Sequence, residues 1–209
     1  MLEVLDELGL PTGQRKSRAE VHRDGDWHRT VHIWVTRPEA HVLLQRRADT
    51  KLTEPGRLDA SVAGHVLAGE LSVDLGREAE EEIGLTLGPS QLTFLGTVRV
   101  DRRYGDLSDR EFQDVYVAYD DRPLGDYLLR DGEVDVLYEL PIDRAIELFA
   151  SGRYVPAPGR DAMHRVNNAL LFEQDLPSLG RDSLRAELER VKAFIGGEDP
   201  EQLAAQPIG

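Results

Sequence analysis

The 209-residue sequence contains no cysteine. That absence excludes disulfides, cysteine-ligated zinc, iron–sulfur clusters and every thiol mechanism. No apolar run approaches the roughly 20 residues needed to cross a bilayer. The first residues, MLEVLDELGLPTGQRK, lack the basic and apolar regions of a secretory signal. The expectation is a soluble, cytoplasmic chain with no membrane partner. Positive charge is also scarce. Lys plus Arg number 25 against 39 Asp plus Glu, for a formal net charge of −14. That balance argues against general nucleic-acid binding, because neutralising phosphates needs a basic face. It leaves open small anions held through a metal. No internal repeat or low-complexity tract is visible.

What is present fits one domain, or one domain with an appendage. Residues 30–36 (TVHIWVT) alternate and read as a strand, paired through a turn with HVLLQR at 41–46. TEPGRLD, at 53–59, reads as a loop. Further strands are expected at 91–101, 112–119 and 133–140. Helices are expected at 72–83, 142–151, 161–174 and 181–195, with a frayed tail after Gly196. The fold class is α/β, a layered α/β/α sandwich around a mixed sheet. The expected domain spans residues 1–175, with 1–28 as an extension packed on it. A C-terminal helix and tail follow at 176–209.

The chemistry concentrates in REAEEEIGL, residues 77–85. Glu78, Glu81 and Glu82 stand at i, i+3 and i+4, so on a helix they share one face. Three like charges on one turn repel, and the spacing costs stability. A solvated acidic face is the bland reading. The chemical one is a set of hard oxygen ligands for Mg²⁺ or Mn²⁺, which also favour phosphate oxygens.

Upstream, Gly64 precedes Glu70 by five intervening residues. The whole reads Gly-x5-Glu-x6-Arg-Glu-Ala-x-Glu-Glu-x-Gly-Leu. It resembles the signature of the Nudix hydrolases, Gly-x5-Glu-x7-Arg-Glu-U-x-Glu-Glu-x-Gly-U, where U is aliphatic. Every specified residue is present, from Gly64 through Glu70, Arg77, Glu78, Glu81 and Glu82 to Gly84, with Ala79 and Leu85 at the aliphatic positions. One residue is missing between Glu70 and Arg77. The resemblance implies a Nudix-type sandwich. It implies Mg²⁺ or Mn²⁺ held by Glu78, Glu81, Glu82 and the Gly64 carbonyl, with Arg77 and Glu70 orienting the carboxylates. It implies hydrolysis of a diphosphate in a nucleotide, or in a nucleoside diphosphate linked to another moiety, with a glutamate as general base.

A narrower resemblance runs from about residue 3 to 150. Ser17–His22, Trp27-His28-Arg29, Leu44–Arg47, Pro55–Asp59 and Ser61–His65 look like the Nudix branch similar to isopentenyl diphosphate isomerase. That enzyme holds a metal with three His and two Glu. His28 and His65 match two of the histidines, and His22 stands one residue out of step. Asp109 and Glu111 match the two acids. His28, His65 and Asp109 are therefore candidates for a second metal, against a bland reading of polar packing. Glu111 is a candidate base or extra ligand, against an exposed acid at a strand start. His32 reads as structural. The cysteine that the isomerase uses for proton transfer is Ala63 here. Alanine has no transferable proton, so the isomerase reaction is disfavoured.

Arg46, Arg47 and Lys51, with Arg57 behind them, are the candidates for gripping substrate phosphates. Strand alternation turns one of Arg46 and Arg47 away. Trp27, Trp34, Tyr104 and Tyr116 are core residues or stacking surfaces. The expected partner is a small-molecule diphosphate. The amphipathic stretch 181–195 packs on its own domain, or on a second copy in a homodimer. Three readings stay in play: a pyrophosphohydrolase, an isomerase-like enzyme and a non-catalytic diphosphate-binding module.

Overall fold

A computed structural model describes residues 1–70 and 74–208. The N-terminal segment forms a hairpin, β1 (Leu2–Leu5) and β2 (Pro11–Lys16), and a short helix, α1 (Arg18–Asp24). Ser17 and Glu20 close a capping box at the start of α1, and Gly25 ends it at φ 70°. The long β3 (Trp27–Arg37) turns into β4 (His41–Arg47), and the short β5 (Leu58–Asp59) and β6 (Val62–His65) follow. Then come α2 (Gly76–Ile83), the hairpin of β7 (Thr93–Tyr104) and β8 (Leu107–Tyr119), β9 (Val134–Pro141) and α3 (Ile142–Ser151). The chain closes with β10 (Val155–Asp161), β11 (Val166–Leu171), α4 (Arg181–Ile195) and α5 (Pro200–Ala204).

The main path of the sheet runs β11-β10-β9-β4-β3-β1-β2, and β6 and β8 also pair with β3. β3 and β8 run parallel, with His28 opposite Glu111 and Thr30 opposite Gln113. The other named pairings are antiparallel, so the sheet is mixed. Period-two alternation sorts β3 between two cores. Val31, Ile33 and Val35 pack with Ala79 and Ile83 of α2. Trp34 packs on the other face, among Phe149 of α3, Leu188 of α4 and Leu203 of α5. The expected α/β/α layering is what forms. Among the described residues, no helix is long and apolar enough to cross a membrane.

Three expectations change. The stretch 161–174 is not a helix but lies largely in a hairpin, with Val155 opposite Leu171. Its turn is built by Asp161, whose Oδ1 accepts from the amides of Met163 and Arg165, and by His164 at φ 62°. The tail is not frayed. Leu203 and Ile208 are buried, and the Arg190 guanidinium donates to the carbonyls of Leu203, Gln206 and Pro207. The helix expected at 72–83 begins at Gly76, and residues 71–73 lie outside the described residues. Gly76 sits so close to the Leu87 carbonyl that a side chain would collide with it.

Candidate active site

Helix α2 carries the acidic residues, and Gly84 ends it at φ 68°, a left-handed conformation suited to glycine. Glu78, Glu81 and Glu82 border one cavity of about 290 Å³. Ala79 and Ile83, on the opposite edge of the helix, are fully buried and fix its rotation. Gly64 in β6 lies directly under Glu78. A Cβ at position 64 would stand 2.5 Å from Glu78 Cγ and Oε2. Only a residue without a side chain leaves room for the Glu78 carboxylate against the strand.

Arg77 binds the acids together. It lies 2.6 Å from Glu70 Oε1, 2.8 Å from Glu78 Oε1 and 3.3 Å from Glu81 Oε2. The second Glu70 oxygen accepts from the Leu67 amide at 2.6 Å. The missing residue between Glu70 and Arg77 therefore leaves their contact intact. Glu81 also meets Arg130 at 3.3 Å. Glu82 is buried, and its Oε2 accepts from Gln45 Nε2 and from the Ala63 amide, both at 3.1 Å. Burial pushes its carboxyl up to about 8, against the pull of the Ala63 amide. Burial also raises Glu78, opposed by Arg77.

A second group lies beside the acids, and three of its members, His22, His65 and Glu111, border the same cavity. His22 from α1, His28 from β3, His65 from β6 and Glu111 from β8 offer ligand atoms within 4.8 Å of one another. The rings of His28 and His65 stack at 5.2 Å, and His22 stands edge-on to both. His28 is fully buried, and its Nε2 has no hydrogen-bond partner; Glu111 Oε1 is 3.6 Å away. His22 is the residue that sequence reasoning left out of step. The capped turn of α1 brings it into place, 3.1 Å from Asp109 Oδ1. Asp109, expected beside His28 and His65, also borders the cavity and contacts the group through His22. Burial, helped by Arg18, drives His65 well below its ordinary value and favours the neutral imidazole. For Glu111, burial and Asp109 raise the carboxyl, but His28 and His65 prevail and hold it below the usual range. His28 is raised against its burial, chiefly by Glu111.

The residues chosen for phosphate divide. Arg47 and Lys51 border the cavity, but both have partners: Arg47 pairs with Asp59 at 2.9 Å, and Lys51 with Glu133. Arg46 does not reach the cavity and packs by Tyr138, as strand alternation requires. Arg18, Arg102 and Arg130 border the cavity instead; Arg18 comes from the Ser17–His22 segment, and Arg102 and Arg130 from segments with no motif. Of the aromatics, Tyr104 reaches the cavity. Trp34 is fully buried; Trp27 packs on Phe112 and Tyr116 on Phe94.

Comparison with known proteins shows the family and the fold. The family model described as NUDIX domain matches residues 26–157. A Nudix hydrolase of Clostridium acetobutylicum is 35% identical over 170 residues, covering 76% of this chain and 82% of that protein. An isopentenyl-diphosphate Delta-isomerase of Streptomyces griseus is 33% identical over 121 residues, 56% of this chain and 60% of the isomerase. A MutT protein structure from Methanosarcina mazei superposes with a TM-score of 0.55 at 17% identity, covering 81% of this chain and 95% of that one. That likeness is one of fold.

Proposed function

This chain belongs to the Nudix hydrolase family, and from that premise we propose that it is a Mg²⁺- or Mn²⁺-dependent enzyme cleaving the diphosphate of a nucleotide or of a nucleoside diphosphate joined to another moiety. The observation that carries the reading is the seating of Glu78 on Gly64, with Glu81 and Glu82 beside it on one cavity. The donor set is all oxygen, as hard divalent cations require. The buried Glu82 carboxyl, held up near 8 by desolvation, is the kind of group that a cation would bring back to its charged form.

In this reading Glu78, Glu81, Glu82 and the Gly64 carbonyl hold the cation. When bound, it supplies charge neutralisation at the diphosphate oxygens and acidifies the attacking water. Arg77, with Glu70 behind it, keeps the Glu78 and Glu81 carboxylates in one place despite their repulsion. Arg18, Arg102 and Lys51 draw the anionic substrate to the cavity mouth. A glutamate of the site takes the proton from water.

In the same reading His22, His28, His65 and Glu111 hold a second cation at the edge of that cavity. Its mixed nitrogen and oxygen donors suit Mn²⁺ or another transition ion better than Mg²⁺. The orphaned, buried Nε2 of His28 supports this reading. An isomerase reading loses its proton donor at Ala63, which instead gives its amide to Glu82.

A product-resolved panel of nucleoside diphosphate conjugates, run with Mg²⁺ or Mn²⁺, tests the proposal. The expected result is two phosphate-bearing products from at least one conjugate, and no deuterium exchange into isopentenyl diphosphate. Exchange without hydrolysis would reverse the assignment. Tight binding without turnover across the panel would make the chain a binding module.

A further inference from the structure

We propose that Glu187, on the C-terminal helix α4, is a positioning residue for Glu111 and acts on it through His32 and Gln113. The proposal rests on the reading of Glu111 as a cation ligand.

Glu187 is a charged residue on the apolar side of its helix. Leu184, Leu188 and Val191 share its burial, and Glu187 itself is fully enclosed. Its carboxylate reaches the sheet and meets two donors on β3. Trp34 Nε1 donates to Oε2 at 2.8 Å, and His32 Nδ1 lies 3.0 Å from the same oxygen. A buried carboxylate with two sheet donors fixes the ring of His32 as a second-layer carboxylate fixes a ligand histidine.

With Nδ1 turned to Glu187, His32 presents Nε2 to β8. There it lies 3.5 Å from the amide nitrogen of Gln113. The same amide nitrogen donates to Glu111 Oε2 at 2.6 Å. That bond occupies one carboxylate oxygen and leaves Oε1 on the His28 side. The chain of contacts runs along one face of the sheet, because His28, His32 and Trp34 share a parity on β3 and Glu111 and Gln113 share one on β8.

Burial makes the arrangement selective. His32, Gln113 and Glu111 are each 6% exposed or less. Gln113 Oε1 has no partner, whereas its nitrogen donates to Glu111 and stands in contact with the His32 ring. An apolar side chain would avoid that orphaned oxygen. What the amide supplies is its donor to Glu111.

The test is Mn²⁺ titration read by the imidazole nitrogen couplings in pulsed electron paramagnetic resonance. That signal reports only cation bound at histidine. Four proteins are compared: the unsubstituted chain, Glu187→Gln, Glu111→Gln and the double variant, each checked for native near-ultraviolet circular dichroism. Glu187→Gln is expected to weaken Mn²⁺ at the histidine site about tenfold or more. In the Glu111→Gln background, the same substitution is expected to change nothing further. Unchanged affinity in Glu187→Gln, or an undiminished loss in the double variant, overturns the proposal. Glu187→Asp keeps the charge but shortens the reach, and it carries the same expectation if Glu187→Gln does not fold. Glu111→Gln alone distinguishes the two layers. If it leaves the signal intact, the cation-site reading fails and takes the positioning role with it.

Discussion

Gly64 and Glu78 share a space that admits no additional carbon, since a Cβ on Gly64 would stand 2.5 Å from Glu78 Oε2. The Glu78 carboxylate therefore lies against the strand through the absence of a side chain at Gly64. Gly64→Ala must move that carboxylate off the strand. The expected outcome is a folded protein with hydrolysis reduced at least a hundredfold. Circular dichroism and a product assay on the same sample check it.

Glu82 makes stability depend on pH. Its folded carboxyl sits near 8, well above the ordinary value of 4.5. A raised acid favours folding while protonated, so its benefit is full below pH 4.5. It is lost as pH rises toward 8. The cation-free protein should therefore lose stability across that window, by up to about 4 kcal/mol from this group. Glu82→Gln should flatten the profile, and Mg²⁺ should restore stability at pH 8. Chemical denaturation at a series of pH values gives the answer. A profile that is equally steep in Glu82→Gln would assign the dependence to other groups.

Arg77 holds three carboxylates, two of them within 3 Å. Replacing it with Gln leaves Glu70, Glu78 and Glu81 to repel one another. The divalent cation concentration giving half-maximal activity should rise roughly tenfold or more. An unchanged requirement would make Arg77 a surface ion pair of little consequence.

The C-terminal helix α5 belongs to the core through Leu203, which is 5% exposed. Leu203→Ala should cost about 2–3 kcal/mol, at the low end for a buried leucine because the site lies near the chain end. Thermal melting reports it. A loss under 0.5 kcal/mol would mean that α5 does not contribute to the core as its burial indicates.

The acidic helix was legible because its signal is local. Glu78, Glu81 and Glu82 share a face by arithmetic, and Gly64 and Glu70 complete a pattern of fixed spacing. The order of the sheet was only partly legible, since β10 carries two prolines, β11 is exposed over most of its length and their turn depends on Asp161 side-chain bonds. His22 is only loosely legible, because a one-residue offset in sequence is absorbed by a helical turn. Its capping box, Ser17 with Glu20, was the signal that could have found it. Glu187 left no trace, because an acid in an amphipathic helix reads as solvent-facing. Its partners lie more than 150 positions away in β3. Arg46 and Arg47 are divided by the same limit: alternation gives two faces, but only tertiary pairing says which one lines the cavity.

The central claim is that the α2 carboxylates seated on Gly64 hold the cation for diphosphate cleavage. The most direct measurement compares the unsubstituted chain with Glu78→Gln, Glu81→Gln and Glu82→Gln on a substrate it cleaves, following products by phosphorus magnetic resonance with and without Mg²⁺. The account predicts Mg²⁺-dependent release by the unsubstituted chain and a loss of at least a hundredfold in each folded variant. Cleavage at the unsubstituted rate by all three variants would contradict it.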